Sequence, residues 1–232
     1  MPAVDADSPR PRRTRDPAGT QAEILRVARR EFARLGFHGA RVDEIAAQTR
    51  TTKRMIYYYF GSKEALFVKV LETAYEQIRM AESNLDIEHL DPEAAIRRLA
   101  ALTMQHHEDN EDFVRLVALE NIYEAAHMQA VPEFAASNSP ALTVVERILE
   151  AGCASGVFRK DADAVDVHAM ISSFCFFRVA NRHTFAALFG RDLAAPALRE
   201  HHSTLLGDMV VAYLTSAPSA EPVATTGAGT LR

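Results

Sequence analysis

The chain has 232 residues, 48% of them hydrophobic and 25% charged, with a net charge of −5. Those proportions suit a soluble globular protein of one or two domains, and neither an 18-residue apolar run nor an apolar leader argues for a membrane span or signal peptide. The net charge hides a split: residues 1–63 hold 13 Lys/Arg against 7 Asp/Glu, net +6, while residues 64–232 hold 13 against 24, net −11. A basic first quarter on an acidic remainder points to a polyanion-binding head on a body that avoids the polyanion. Two cysteines, Cys153 and Cys175, stand in largely apolar text, which predicts buried thiols in a reducing, cytoplasmic setting and no disulfide framework.

Residues 1–16, with Arg10, Arg12, Arg13 and Arg15 among prolines and aspartates, predict a disordered arm that solubilises the chain or reaches along phosphates. From about Asp16, Ile24, Ala28, Phe32 and Leu35 recur at helical spacing, and Gly36 is the natural stop. A short helix follows from Val42 to about Gln48, with Val42, Ile45 and Ala46 inward. After three turn residues another begins, capped by Thr52, and runs to about Tyr59. Two short helices across so tight a turn make a helix-turn-helix. Ser62 caps the next helix, striped by Leu66, Phe67, Val70, Leu71, Ala74 and Ile78.

The stretch from Thr49 to Lys63 sets Arg50, Lys53, Arg54 and Lys63 around three consecutive tyrosines, with no acidic residue. Cations neutralise phosphates, and tyrosines add hydrogen bonds and apolar contact, so this text suits a nucleic-acid surface.

The residues Ile24-Leu25, Ala28, Phe32, Gly36-Phe37, Val42, Ile45-Ala46, Thr52-Lys53, Ile56-Tyr57-Tyr58-Tyr59-Phe60, Ser62-Lys63-Glu64 and Leu66 together resemble the DNA-binding domain of TetR-family transcriptional regulators. The resemblance runs through residues 18–72 without a gap, and beyond residue 72 it is architectural only. It implies DNA contacts at Thr52, Lys53, Arg54, Tyr57, Tyr58 and Lys63. Lys53 and Arg54 are then base readers, Arg54 forking onto a guanine. Tyr57 and Lys63 would take phosphates, Tyr58 a phosphate or a thymine methyl, while Tyr59 and Phe60 pack inward. Two residues depart from the family pattern. Ala40 stands where a Thr or Ser often caps the second helix, at a cost of about 1 kcal/mol. Arg50 stands where the turn usually has Gly, so a positive φ there would cost roughly 1 kcal/mol, which a phosphate contact could offset.

Residues 79–217 read as helices: Pro92 to about His107, Glu111 to about His127, Pro140 to Ala151, Asp163 to about Phe189, and Pro196 to Ser216, with a break over residues 152–160. Aromatic and polar residues mix along the central helices in the manner of a small-molecule cavity. Its candidate lining is Met104, His107, Phe113, Leu116, Glu120 and Tyr123, continued by Glu124, His127, Phe174, Phe177 and Arg178. A guanidinium among phenylalanines wants an anion, which Glu120, Glu124 or a ligand carboxylate could supply. The last helices are apolar over more than one face, predicting a self-complementary interface through Phe176, Leu205, Leu206, Met209, Val210 and Tyr213, as the family resemblance also implies.

The adjacent pairs His106-His107 and His201-His202 cannot chelate from one helix face, so solvated histidines and no metal are expected. No phosphate-binding glycine loop or nucleophile elbow supports catalysis, and no cofactor is implied beyond a small organic effector. The fold class expected is all-α: a helix-turn-helix DNA-binding domain over residues 17–78, a helical ligand-binding and dimerisation domain over 79–217, and disordered ends at 1–16 and 218–232. The function expected is a homodimeric transcriptional regulator, released from a double-stranded palindromic operator by its effector. The alternative is a partner-regulated or architectural DNA-binding protein with no small-molecule effector.

Overall fold

The computed structural model describes residues 16–132, 134 and 140–217. The basic arm through Arg15, the tail from residue 218 and most of the loop before Pro140 lie outside the described residues. Every described element is helical, and no helix among the described residues is long and apolar enough to cross a membrane. The chain divides into two compact units between Val70 and Leu71.

In the first unit, α1 (Pro17–Gly39) starts at Asp16, whose Oδ1 accepts the Ala18 N–H at 3.1 Å. Gly36, at φ 70° and ψ 174°, breaks the helix one turn before its end, a backbone open to glycine. Leu35, expected inward, is 41% exposed, and Phe37, just past the break, is the buried residue. α2 (Val42–Gln48) buries Val42, Ile45 and Ala46; α3 (Lys53–Phe60) buries Ile56. α4 (Lys63–Ser83) begins where Ser62 Oγ accepts the Ala65 N–H at 3.1 Å. Its Phe67 packs edge-on against Phe32, ring centres 4.9 Å apart, and closes the core of this unit.

The second unit is a bundle of α5 (Pro92–Asp109), α6 (Glu111–Ile122), α8 (Pro140–Ala154), α9 (Ala164–Ala180) and α11 (Arg199–Thr215), with short α7 (Ala126–Gln129) and α10 (Arg182–Phe189). Ala74 and Ile78, reckoned to the DNA-binding domain from sequence, pack here with Phe113, Val114 and Val179. The main core gathers Ile96, Leu99, Met104, Val145, Ile148, Ile171, Leu206 and Val210.

Three helix boundaries differ from expectation. α6 stops at Ile122 because Glu124 and Ala125 turn left-handed, φ 55° and 57°, and the Ala125 N–H closes the end on Glu120 O at 2.7 Å. The helix expected from Asp163 to Phe189 is two, parted at Asn181 (φ −102°, ψ 7°). Gly152, read as a breaker, lies inside α8: a Cβ there would sit 1.9 Å from the Phe158 ring, so it is a packing glycine. Of the cysteines, Cys175 is buried and burial pushes its thiol up to about 12, whereas Cys153 is half-buried with its thiol donating to Arg159 O.

Candidate nucleic-acid interface and ligand cavity

Helix α3 is held by one buried residue, Ile56, and by Thr52, whose Oγ1 accepts the Met55 N–H at 3.3 Å. With about 100° per residue, Arg54 and Tyr58 project opposite Ile56, and Tyr57 and Lys53 stand along one flank of that face. All four are exposed, Tyr58 to 77%. A tyrosine that open to water buries little of its ring and is placed for an external partner. Tyr59 and Phe60 lie on the inner side, half-buried.

The turn between α2 and α3 hangs on Thr49, which is buried and donates its hydroxyl to Ile45 O at 2.9 Å. Arg50 follows with φ 51°, the left-handed region, where an L-residue costs about 1–2 kcal/mol. Lys53 Nζ reaches Asp43 Oδ2 at 3.0 Å, an ion pair half open to solvent on both sides. Such a pair contributes little, roughly 0–1 kcal/mol, and yields readily to a phosphate. Arg54 has no hydrogen-bond partner among the described residues, so its five donors stand free for a base edge. Lys63 is fixed instead, its ammonium 4.8 Å from the Phe37 ring centre in the first turn of α4.

Two hollows of ligand size open among the described residues of the second unit. A cavity of about 310 Å³ opens among α4, α5, α6 and α9, walled by Tyr75, Ile78, Phe113, Val117 and Phe176 and edged by Arg79, His107, Asn121, His168, Ser172 and Ser173. His107 Nδ1 lies 2.8 Å from Thr103 O, so it donates there, and burial pushes its pKa down, leaving a neutral ring with Nε2 as acceptor. Burial also lowers His168, whose Nε2 sits 3.3 Å from the Ser172 hydroxyl. Arg79 Nη1 donates to Glu82 Oε2 at 2.6 Å, and burial raises the Glu82 carboxyl to about 7 against the pull of that guanidinium. The second hollow, about 530 Å³, is an apolar cleft along α9 and α11, floored by Arg178 and His202 and lined by Phe174, Phe177, Leu205 and Met209.

Residues 24–70 match the family model of bacterial regulatory proteins, tetR family, and residues 92–210 match the tetracyclin repressor-like C-terminal domain. The chain belongs to the TetR family. Over 192 residues it is 36% identical to the HTH-type transcriptional repressor NicS of Pseudomonas putida, spanning 83% of this chain and 91% of that protein. Over 108 residues it is 37% identical to the HTH-type transcriptional repressor SCO4008 of Streptomyces coelicolor, 47% of this chain and 53% of that one. Among solved structures, the putative transcriptional regulator SCO4942 of Streptomyces coelicolor superposes with a TM-score of 0.64 at 29% identity, covering 82% of this chain and 97% of that one. As a TetR-family member the chain is a DNA-binding transcriptional regulator of all-α fold, and the family and these relatives are regulators, not enzymes.

Sequence reasoning anticipated one cavity where this TetR-family protein has two hollows and a core. His107 and Phe113 line the first hollow, and Phe174, Phe177 and Arg178 the second. Met104 and Leu116 are buried core residues at 1% and 0% exposure. Glu120 is buried against His127, Oε1 to Nδ1 2.8 Å, with Tyr123 stacked edge-on to that histidine, and Glu124 is exposed in the left-handed turn. Arg178 pairs with neither Glu120 nor Glu124: Nη1 donates to Glu108 at 2.6 Å, Nε to His202 Nδ1 at 3.0 Å, and Nη2 to Leu193 O at 2.7 Å. Glu108 lies one helix earlier than the acids considered, on α5, and only the packing of α5 against α9 brings it there.

The six interface candidates divide as well. Leu206 and Val210 belong to the protomer's own core, Phe176 lines the first cavity, and Tyr213 lies half-buried beneath the Arg159 guanidinium. Leu205 and Met209 remain open at 39% and 48%, joined by Phe177 at 47%. The histidines expected in solvent include two, His107 and His202, that are buried. Ala40, taken for the cap position of α2, precedes it; Arg41 is the cap and makes no side-chain bond. Sequence reasoning missed Arg79, His168 and Thr49. An arginine directly after the last isoleucine of a buried stripe, followed at i+3 by Glu82, was the available signal for Arg79.

Proposed function

We propose that the chain is a homodimeric repressor that holds a palindromic operator through paired α3 helices and lets go when a small organic effector fills the cavity among α4, α5, α6 and α9. The observation that carries the DNA half is the exposed face of α3, where Arg54 and Tyr58 stand opposite a single buried anchor and Lys53 and Tyr57 flank them. Repression is supported by the description of NicS as a repressor, at 36% identity over most of both chains. Dimerisation through the α9 and α11 cleft is supported by Phe177, Leu205 and Met209, apolar side chains open to solvent on one surface. Two α3 helices related by a two-fold axis would enter major grooves about 34 Å apart.

The 310 Å³ cavity favours an effector over a protein partner as the controlling signal. Helix α4 offers a route for control: its first half carries Leu66 and Phe67 into the core of the DNA-binding unit, and its second half carries Tyr75, Ile78 and Arg79 to the cavity. A coupling of about 1–3 kcal/mol would change operator affinity roughly 5- to 150-fold.

Selection of bound duplexes from a random library by the full-length protein tests this reading. A two-fold symmetric consensus, bound by a dimer at sedimentation equilibrium, is the expected result. Enrichment of no sequence, or of a single asymmetric half-site, would overturn it.

A further inference from the structure

The walls of the first cavity carry a definite charge pattern. Among its described lining residues are one arginine and two histidines that burial keeps neutral, and no carboxylate. Arg79 hydrogen-bonds Glu82 alone among the described residues, through Nη1, and its Nε is buried with no acceptor. Nη2 has no acceptor among the described residues and, unlike Nε, is not sealed off, so it is the guanidinium donor left open for a ligand oxygen. A cationic ligand would meet a guanidinium on this wall and no carboxylate. A phosphate dianion would bring two charges to a single cation. A monoanion with two oxygens fits the donors present.

The remaining wall selects the body of the ligand. Tyr75 and Phe113 stand edge to face with ring centres 5.1 Å apart, and Phe176 completes an aromatic lining around about 310 Å³. That volume lies at the small end of ligand cavities, about 300–1,000 Å³, and suits one or two rings. Aromatic edges and faces favour a flat ring over a flexible chain, which would lose more freedom on binding. His107 Nε2, left as an acceptor, can receive a ring hydroxyl or N–H.

We infer that the effector is a small aromatic monocarboxylate, its ring among Tyr75, Phe113 and Phe176 and its carboxylate on Nη2 of Arg79. This rests on the reading of the cavity as the effector site. The full-length protein is titrated calorimetrically with benzoate and a panel of ring-substituted benzoates, each beside its uncharged amide. At least one acid binds and releases operator DNA, its amide binds about 10- to 100-fold more weakly, and Arg79→Gln removes that preference. Because the acid–amide comparison is made on the unaltered protein, an Arg79→Gln chain that fails to fold does not spoil the test. Val117→Trp, which fills the cavity, abolishes binding of the acid. An acid and amide that bind equally, both blocked by Val117→Trp, overturn the carboxylate class and leave the effector cavity standing. Acid binding untouched by Val117→Trp overturns both, and a panel in which no acid binds overturns the inference.

Discussion

The recognition helix and the helical body use arginine in opposite ways. On α3, Arg54 is exposed and unpaired among the described residues, and the helix is secured by Ile56 beneath it. In the body, Arg178 is 2% exposed, and its donors are spent on Glu108, His202 and Leu193 O, which join α5, α9, α11 and the segment before α11. One guanidinium waits for a partner from outside and contributes little to stability. The other is part of what holds the body together. Arg79 lies between these extremes: half-buried and paired once, it keeps Nη2 unmatched among the described residues.

The largest effect that would break this contrast is on stability. Arg178→Ala strands Glu108 with only Arg199 at 2.5 Å, and leaves a hollow under the α9 and α11 cleft. Removing one partner of a buried pair costs about 3–5 kcal/mol, so urea unfolding should show a loss of that order. A loss below about 1 kcal/mol, the range of an exposed pair, would mean that Arg178 is no more structural than a surface arginine.

Next in size is the pH dependence set by Glu82. Its folded value of about 7 lies above the ordinary 4.5, so the folded chain holds this proton more tightly than the unfolded chain does. Its contribution to stability is complete below the ordinary value and is lost as pH rises through 7. The span corresponds to about 3 kcal/mol at most. Glu82→Gln should flatten the fall in unfolding free energy between pH 5 and 8; an unchanged slope would assign that titration elsewhere.

The smaller arginine effect belongs to DNA. Arg54→Ala should leave the thermal midpoint in place, since the side chain touches nothing it would strand. Operator affinity should drop by about 1–3 kcal/mol, with preference relaxed at one base position. Equal weakening on every duplex would make Arg54 a phosphate contact and not a base reader.

What could be read from the chain follows the same division. The head was legible because its signals are local. Thr52 and Ser62 cap the helices they precede, Ile56 alone is buried beneath the basic face, and Tyr57 and Tyr58 fall where a helix of eight residues exposes them while Tyr59 turns inward. The body's charges were not legible, because their partners are set by tertiary packing. Arg178 and Glu108 are 70 residues apart. Glu120, offered by the sequence as a partner for Arg178, meets His127 instead, because the left-handed residues Glu124 and Ala125 fold α7 back onto it. Apolar periodicity likewise marked Leu206 and Leu205 alike, and only the structure shows the first in the core and the second on the open cleft. A stripe that is apolar on two faces does not state which face its own protomer takes.

Arg50 is where the two uses of arginine meet, and the effect there is the smallest and the most discriminating. Its φ of 51° carries a left-handed penalty of about 1–2 kcal/mol that glycine would not. Against that, a glycine in the unfolded chain has more freedom to lose, which offsets roughly 0.5–1 kcal/mol. Arg50→Gly should therefore raise unfolding free energy by about 0.5–1 kcal/mol, the difference of those two effects. If the guanidinium earns its place on DNA, the same change weakens operator binding and makes the slope of log K against log salt shallower by about 1. A variant that is more stable and binds DNA with an unaltered salt slope would show the strain to be unrelated to phosphate contact. A variant that loses stability would show that the turn, anchored by the Thr49 hydroxyl on Ile45 O, holds Arg50 left-handed without the cost assigned to it.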